Sequence, residues 1–346
     1  MNVGKTVGKV DSGIFSNFDR VAFCSVHTTA GFLEEPLALK LGNNREGIES
    51  LVRSAHRLFP EGAPYWHDRM ELRSELSAEQ RKHEPLNADS HLAFICLGLC
   101  NCVLYKFAPE KPVYFIDLDG KSNETFRSRK SIAVGYNDAD CVHEETLQID
   151  LPGKNRCAVD LKKSLPDLQA LVAKHQIHRG LVTLELAPDE KHAGVTVNEF
   201  ESLLVERDIT DVLLNPLRYM LYNVPQFARH PLMVPSKAKD MLLYEIHLAI
   251  RDGLRVANRS VSILEYMVER LGMHLPLLEH VIDRIASPLE ARWMNLGSTI
   301  RLLINAEDEA PLGRVMIGTY QSPILIQWRR PESDTREMRL RLLRFT

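Results

Sequence analysis

Val21-Ala-Phe-Cys-Ser-Val-His27-Thr28-Thr29-Ala30-Gly31, closing at Glu34-Glu35, has a counterpart in Leu181-Val-Thr-Leu-Glu-Leu-Ala-Pro-Asp-Glu190-Lys191-His192-Ala193-Gly194, closing at Asn198-Glu199. Each is an apolar run of strand length, an Ala-Gly step and an acidic start to a helix. A second pair lies further along. Pro112-Val-Tyr-Phe-Ile-Asp117 and Pro323-Ile-Leu-Ile-Gln-Trp328 are each followed by a polar turn and a last strand, and between the marks Asn87-Ala-Asp-Ser-His91-Leu92 is echoed by Asn295-Leu-Gly-Ser-Thr299-Ile300. Three marks in the same order read as a tandem duplication, with copy one over residues 1–155 and copy two over 156–346. The stretch from Glu199 to Asn295 is 96 residues against 52 from Glu35 to Asn87, so copy two is expected to carry a helical insertion around 216–290.

Around these marks the expected class is α+β: two related domains built on antiparallel β-sheets with flanking helices. Leu51 to Leu58 has helical spacing before Pro60, whereas Leu92 to Cys102 is apolar enough to be buried on both sides. Val113–Asp117 and Ser131–Tyr136 flank a polar turn at Asp119–Asn123 and suggest a hairpin. In the second half, Leu161 to Ala173 suggests a helix, Leu181–Leu186 a strand and Asn198 to Leu214 helical spacing. Apolar residues recur at three and four from Lys239 to Ile285, as in consecutive amphipathic helices, and strands at Ile324–Trp328 and Met338–Phe345 follow.

Composition narrows the function. At 346 residues, 45% hydrophobic and 26% charged, the chain can bury one large core or two ordinary ones. Lys+Arg 43 against Asp+Glu 46 gives a formal charge of -3, which leaves no basic field for nucleic acid or an anionic membrane. No apolar stretch reaches the roughly 20 residues that span a bilayer. Met1-Asn-Val-Gly-Lys5 has no apolar run behind its charge, so no export signal is expected and the cytoplasm is the expected location. The six cysteines sit in or beside apolar runs and read as reduced thiols; Cys96, Cys100 and Cys102 lack a fourth ligand at zinc-like spacing.

His27-Thr28-Thr29-Ala30, Asn198-Glu199, Pro60–Tyr65 with His67-Asp68, Asn87–Leu92 and Gly318-Thr319-Tyr320-Gln321 together resemble the YjbQ-type family, called secondary thiamine-phosphate synthases. The resemblance implies a compact α+β domain on antiparallel strands, assembly as a homo-oligomer, and polar motif residues gathered in one pocket. The family is credited with weakly joining a pyrimidine pyrophosphate to a thiazole phosphate. The departures are complementary. Copy one keeps the His-Thr-Thr-Ala and Asn-Ala-Asp-Ser-His marks but has Glu34 for the family's Asn, Asn44 for a carboxylate and Phe107–Glu110 for Gly-Thr-Trp-Gln. Copy two keeps Asn198-Glu199, Asp208 and Gly-Thr-Tyr-Gln but has Glu190–Ala193 for His-Thr-Thr-Ala and Thr299 for the histidine.

The marked residues have chemistry of their own. His27, at the end of an apolar strand and followed by Thr28 and Thr29, offers a group titrating near neutrality beside hydroxyls suited to phosphate; the bland alternative is a structural histidine among β residues. Asn87 and His91 are four apart and on a helix would share a face, though Asn87 could equally be an N-cap. Glu199 and Asp208 are nine apart and converge only if Glu199 precedes the helix, where they could hold Mg2+ or another divalent cation; the alternative is a solvated acidic first turn, to which Glu201 and Glu206 would belong. Gly318 permits a turn presenting Thr319 and Gln321, or a plain bulge.

The expected function is binding of a phosphorylated or anionic small molecule in one pocket shared by the copies, with a thiamine-phosphate-synthase-like transferase activity as its catalytic form. His27, His91, Glu199 and Asp208 would be catalytic, and Thr28, Thr29, Glu35, Asn87, Thr319 and Gln321 would contact ligand. The alternative is a non-catalytic scaffold in which both sites have decayed.

Overall fold

The computed structural model describes residues 1–3, 15, 17–108, 111–122, 125–214, 219, 296–306 and 310–346. The first half runs β1 (Arg20–Ser25), β2 (Ala30–Phe32), α1 (Glu35–Lys40), α2 (Arg45–Leu58), α3 (Ala78–His83), α4 (Ala88–Leu97), β3 (Cys102–Lys106), β4 (Phe115–Asp117), β5 (Lys121–Ser122), β6 (Thr125–Phe126) and β7 (Ser131–Tyr136). There follow β8 (Ala139–Asp150), β9 (Cys157–Asp160), α5 (Leu168–Lys174), β10 (Arg179–Leu186) and β11 (Ala193–Glu199). A π-turn at Leu204–Asp208 then leads into α6 (Ile209–Leu214), and β12 (Thr299–Asn305), β13 (Arg314–Val315), β14 (Gln321–Gln327) and β15 (Thr335–Phe345) complete the described elements. The chain is α+β, with antiparallel sheets and flanking helices. The helical stretch expected within 216–290 lies outside the described residues. None of the described helices is long and apolar enough to cross a membrane.

Val21–Ser25 and Leu181–Leu186 lie in the central strands of two three-stranded antiparallel groups. β1 lies between β3 and β7, and β10 lies between β12 and β15, all antiparallel. The second sheet is extended at its edges by β13 and β8. Likewise β2 pairs with β4 in the first half and β11 with β14 in the second. β1 and β10 turn apolar side chains toward each other. Ala22, Cys24, Cys102, Val134 and Tyr136 form one core layer with Leu181 and Leu303, and Tyr136 stacks on Phe345 with ring centroids 4.0 Å apart. The two sheets therefore meet face to face.

Several local expectations give way to pairing over longer distances. Val113–Asp117 and Ser131–Tyr136 do not form a hairpin, because β4 is claimed by β2 and β7 by β1; the polar turn serves the two-residue strands β5 and β6. The apolar run Leu92–Cys102 is a helix that ends at Gly98, in the left-handed conformation, before β3 begins. α4 is buried from Ala88 to Ile95, so its continuous apolarity hides any helical period. Pro166 splits the expected helix over Leu161–Ala173 into a 3-10 turn at Leu161–Lys163 and α5, whose first amides are capped by Asp167. Asn198-Glu199 end β11 rather than start a helix. Thr299 opens β12 opposite Glu185 and so does not hold the helical place of His91.

Candidate functional site

The N-terminus of α4 is held from outside the helix. Ala88 donates its main-chain N–H to Asp68 Oδ1 at 3.1 Å, so Asn87 does not cap by its side chain and instead donates to Asp119 Oδ2 at 2.8 Å. One turn into this helix the His91 ring is buried, where a polar atom needs a partner. The partner comes from the other half: His91 Nδ1 lies 2.6 Å from Asn198 Oδ1 at the end of β11. Asn198, also fully buried, donates its Nδ2 to the Thr28 carbonyl at 3.0 Å. One amide thus ties together the residue after His27, the helix bearing His91 and the strand bearing Glu199.

Glu199 follows on the same strand, with Oε2 3.5 Å from His91 Nε2 and Oε1 3.4 Å from Arg73 Nη2. Arg73 is 3% exposed and also pairs with Glu75 and Glu84. A second imidazole completes the group. His67 is 1% exposed, its ring lies 5.2 Å from that of His91, and its Nδ1 is 3.0 Å from Glu201 Oε2. Glu201 also accepts the main-chain N–H groups of Leu203 and Leu204, which fixes it at the mouth of the π-turn. His67 Nε2 is buried with no hydrogen-bond partner among the described residues. Ligand-capable atoms of His67, His91 and Glu199 all lie within 4.8 Å of one another.

Burial dominates the electrostatics. It pushes His91 down to about 3, aided by the neighbouring His67, against the hydrogen bond to Asn198. Burial also pulls His67 down, but the Glu201 hydrogen bond and the Glu199 charge outweigh it, and the net direction is upward. Burial would raise Glu201, yet the His67 bond and the two main-chain donors hold it at about 2. Burial raises Glu199 against the pull of His67 and Arg73. Burial thus disfavours charge on His91, whereas the carboxylates beside His67 favour it there.

The remaining marked residues go elsewhere. The His27 ring faces β7, where its Nε2 accepts the Lys130 main-chain N–H at 2.9 Å; burial and then Arg129 lower its pKa. Thr29 Oγ1 accepts from Arg129 Nη2 at 3.3 Å. Gln321 is wholly buried, donating to the carbonyls of Ser25 (3.2 Å) and His27 (2.8 Å) and accepting from Gly318 N. It thus holds the first half's His27 turn in place, and no donor of its amide remains to present to a ligand. A Cβ on Gly318 would collide with the Val26 carbonyl, so glycine is required by this close approach of the halves. Asp208 accepts the N–H groups of Trp66 and His67 and the Tyr219 hydroxyl. It shapes the loop that aims His67 and does not form a cation pair with Glu199. Thr319 is exposed, and Glu35 forms an ion pair with Lys111 away from this cluster.

Asn198, His67, Arg73 and Glu201 were not among the site residues expected from the sequence. His67-Asp68 stood in the family pattern, which was a usable signal. Glu201 read as part of a solvated turn but is 6% exposed, and nothing in the sequence marked Arg73.

No family model matches the sequence, and no curated protein matches it. Among solved structures the chain is similar to a YbjQ-like protein of unknown function from Sulfolobus solfataricus, with 12% identity, 60% of this chain and 99% of that one covered, and a TM-score of 0.29. It is also similar to a hypothetical protein from Aeropyrum pernix, at 11% identity over 59% of this chain and 99% of that one, TM-score 0.29. A third is an uncharacterized conserved protein of the yjbq/upf0047 family from Clostridium acetobutylicum, at 14% identity over 58% and 99%, TM-score 0.23.

Proposed function

We propose that the chain is a small-molecule-binding protein descended from a tandem duplication, with one working site assembled from both copies. The corresponding strand orders β3-β1-β7 and β12-β10-β15, and the matching pairs β2-β4 and β11-β14, support the duplication. One observation carries the shared site. Asn198 of the second half satisfies both His91 and the Thr28 carbonyl of the first, and so sets Glu199 beside the two histidines. A fold needs no such concentration of buried titratable groups for its stability, and groups of this kind collect at functional sites. The ligand class is a phosphorylated or anionic metabolite. Thr28 is half-buried, and Arg129, which reaches Thr29, supplies a cation whose charge now rests on Asp117. The catalytic form of this reading is a transfer of the thiamine-phosphate-synthase type.

Calorimetric titration of the full chain with inorganic pyrophosphate, a thiazole phosphate and a pyrimidine pyrophosphate tests it. Saturable binding to at least one of them is expected, weakened about tenfold or more in Arg129→Ala. If none of the three binds, the chain is a scaffold instead. If Arg129→Ala binds as tightly as the parent, the ligand sits elsewhere.

A further inference from the structure

We infer that His67, His91 and Glu199 form the binding site of one divalent transition-metal ion. The inference rests on the shared-site reading above, because both imidazoles come from the first half and the carboxylate from the second. Three independent features of the geometry carry it.

The first is the convergence of donor atoms. Bonds of about 2.0–2.2 Å from nitrogen and oxygen to a tetrahedral ion place neighbouring donors about 3.3 Å apart. His91 Nε2 and Glu199 Oε2 stand at 3.5 Å, and the whole set fits within 4.8 Å. The second is the anchoring of both rings through the far nitrogen. The Asn198 carbonyl oxygen and the Glu201 carboxylate can only accept, so each Nδ1 bears the proton; the His91 Nε2 lone pair is turned to Glu199 Oε2, and a ring nitrogen of His67 lies within 4.8 Å of both partners. Carboxylate or carbonyl support behind a ligating histidine is how metal sites fix tautomer and ring direction. The third is the His67 Nε2 atom, buried and without a hydrogen-bond partner among the described residues. A bound cation supplies what the protein does not.

The donor set also selects the ion. Two imidazoles and one carboxylate suit zinc, cobalt, iron(II) or manganese, whereas Mg2+ prefers an all-oxygen shell. Arg73 takes the other oxygen of Glu199, which leaves Oε2 to the ion. Three protein ligands leave a fourth position for water or for a ligand oxygen.

The test uses the full chain stripped by a chelator and then titrated with Co2+. Expected are one ion per chain, visible absorption of four- or five-coordinate cobalt, displacement by Zn2+ and none by Mg2+. Glu199→Gln and His91→Ala should each abolish the spectrum, Glu201→Gln should weaken binding about 10- to 100-fold, and His143→Ala should leave it unchanged, since His143 and His175 form a separate ring pair. Near-ultraviolet circular dichroism of each variant separates lost ligation from lost folding, and Glu199→Gln, being nearly isosteric, keeps the test alive if His91→Ala unfolds. A stoichiometry near zero, a spectrum of six-coordinate aqueous cobalt, or full affinity in folded Glu199→Gln overturns the inference. Metal bound without any of the three organic or phosphate probes binding would overturn the ligand reading alone; probe binding to a chain that takes up no metal would overturn this one alone.

Discussion

Where β11 of the second half meets the first half, Asn198 and Glu199 lie beside His91 and His67, and His67 Nε2 has no hydrogen-bond partner among the described residues. Where β2 of the first half meets the second, the residues in comparable positions have opposite partners. Glu34 forms an ion pair with Arg301 on β12, Glu35 with Lys111, and a cavity of about 230 Å3 lies alongside, lined in part by Glu34, Cys100, Thr299 and Arg301. Lys111 precedes β4 roughly as Gln321 opens β14 opposite Glu199. The first junction keeps neutral and titratable donors buried and available, and the second has closed its charges on one another. Groups that cancel locally need no third party; groups left open do.

The largest expected effect breaks the contrast outright. Asn198→Leu removes the acceptor of His91 and the donor to Thr28, leaving buried polar atoms unmatched, and should cost about 2–4 kcal/mol in denaturant unfolding. Glu34→Gln at the partly exposed second pair should cost about 0–1 kcal/mol; equal losses would erase the distinction. Saturating zinc sharpens it. At about 100 times the dissociation constant it should stabilise the parent and Glu34→Gln by about 2.7 kcal/mol and leave Glu199→Gln unmoved, read as midpoint shifts. Gly318→Ala, forced against the Val26 carbonyl, should lose about 1–3 kcal/mol by the same assay. The smallest effect is chemical. Of the cysteines only Cys141 is exposed, while burial pushes Cys100 up to about 12, so a thiol reagent at neutral pH should label one site rapidly and Cys100 slowly.

The central strands were legible because Val21–Val26 is an apolar run of strand length and Leu181–Leu186 alternates, Thr183 and Glu185 falling between apolar residues. The same simplicity misled at Leu92, where a fully buried helix is as continuously apolar as a strand. β4 and β7 suggested a local hairpin because turn chemistry is written nearby, whereas their true partners β2 and β1 lie roughly a hundred residues away. In the site, His91 and Glu199 were visible as unusual polar residues at the ends of apolar segments. Glu201 was not, because an acidic residue before a helix has the same spelling whether water or a buried imidazole receives it. Gln321 stood out for its motif, but its amide is spent on the backbone of the opposite half, a partnership that only folding creates.

The layer joining Ala22, Cys24 and Cys102 to Leu181 and Leu303 has a kinetic meaning. Because both faces belong to one polypeptide, their encounter is unimolecular, and diluting the protein cannot pull them apart as it would two free subunits. A mutation in that layer should therefore register as slower or incomplete folding with no dependence on protein concentration.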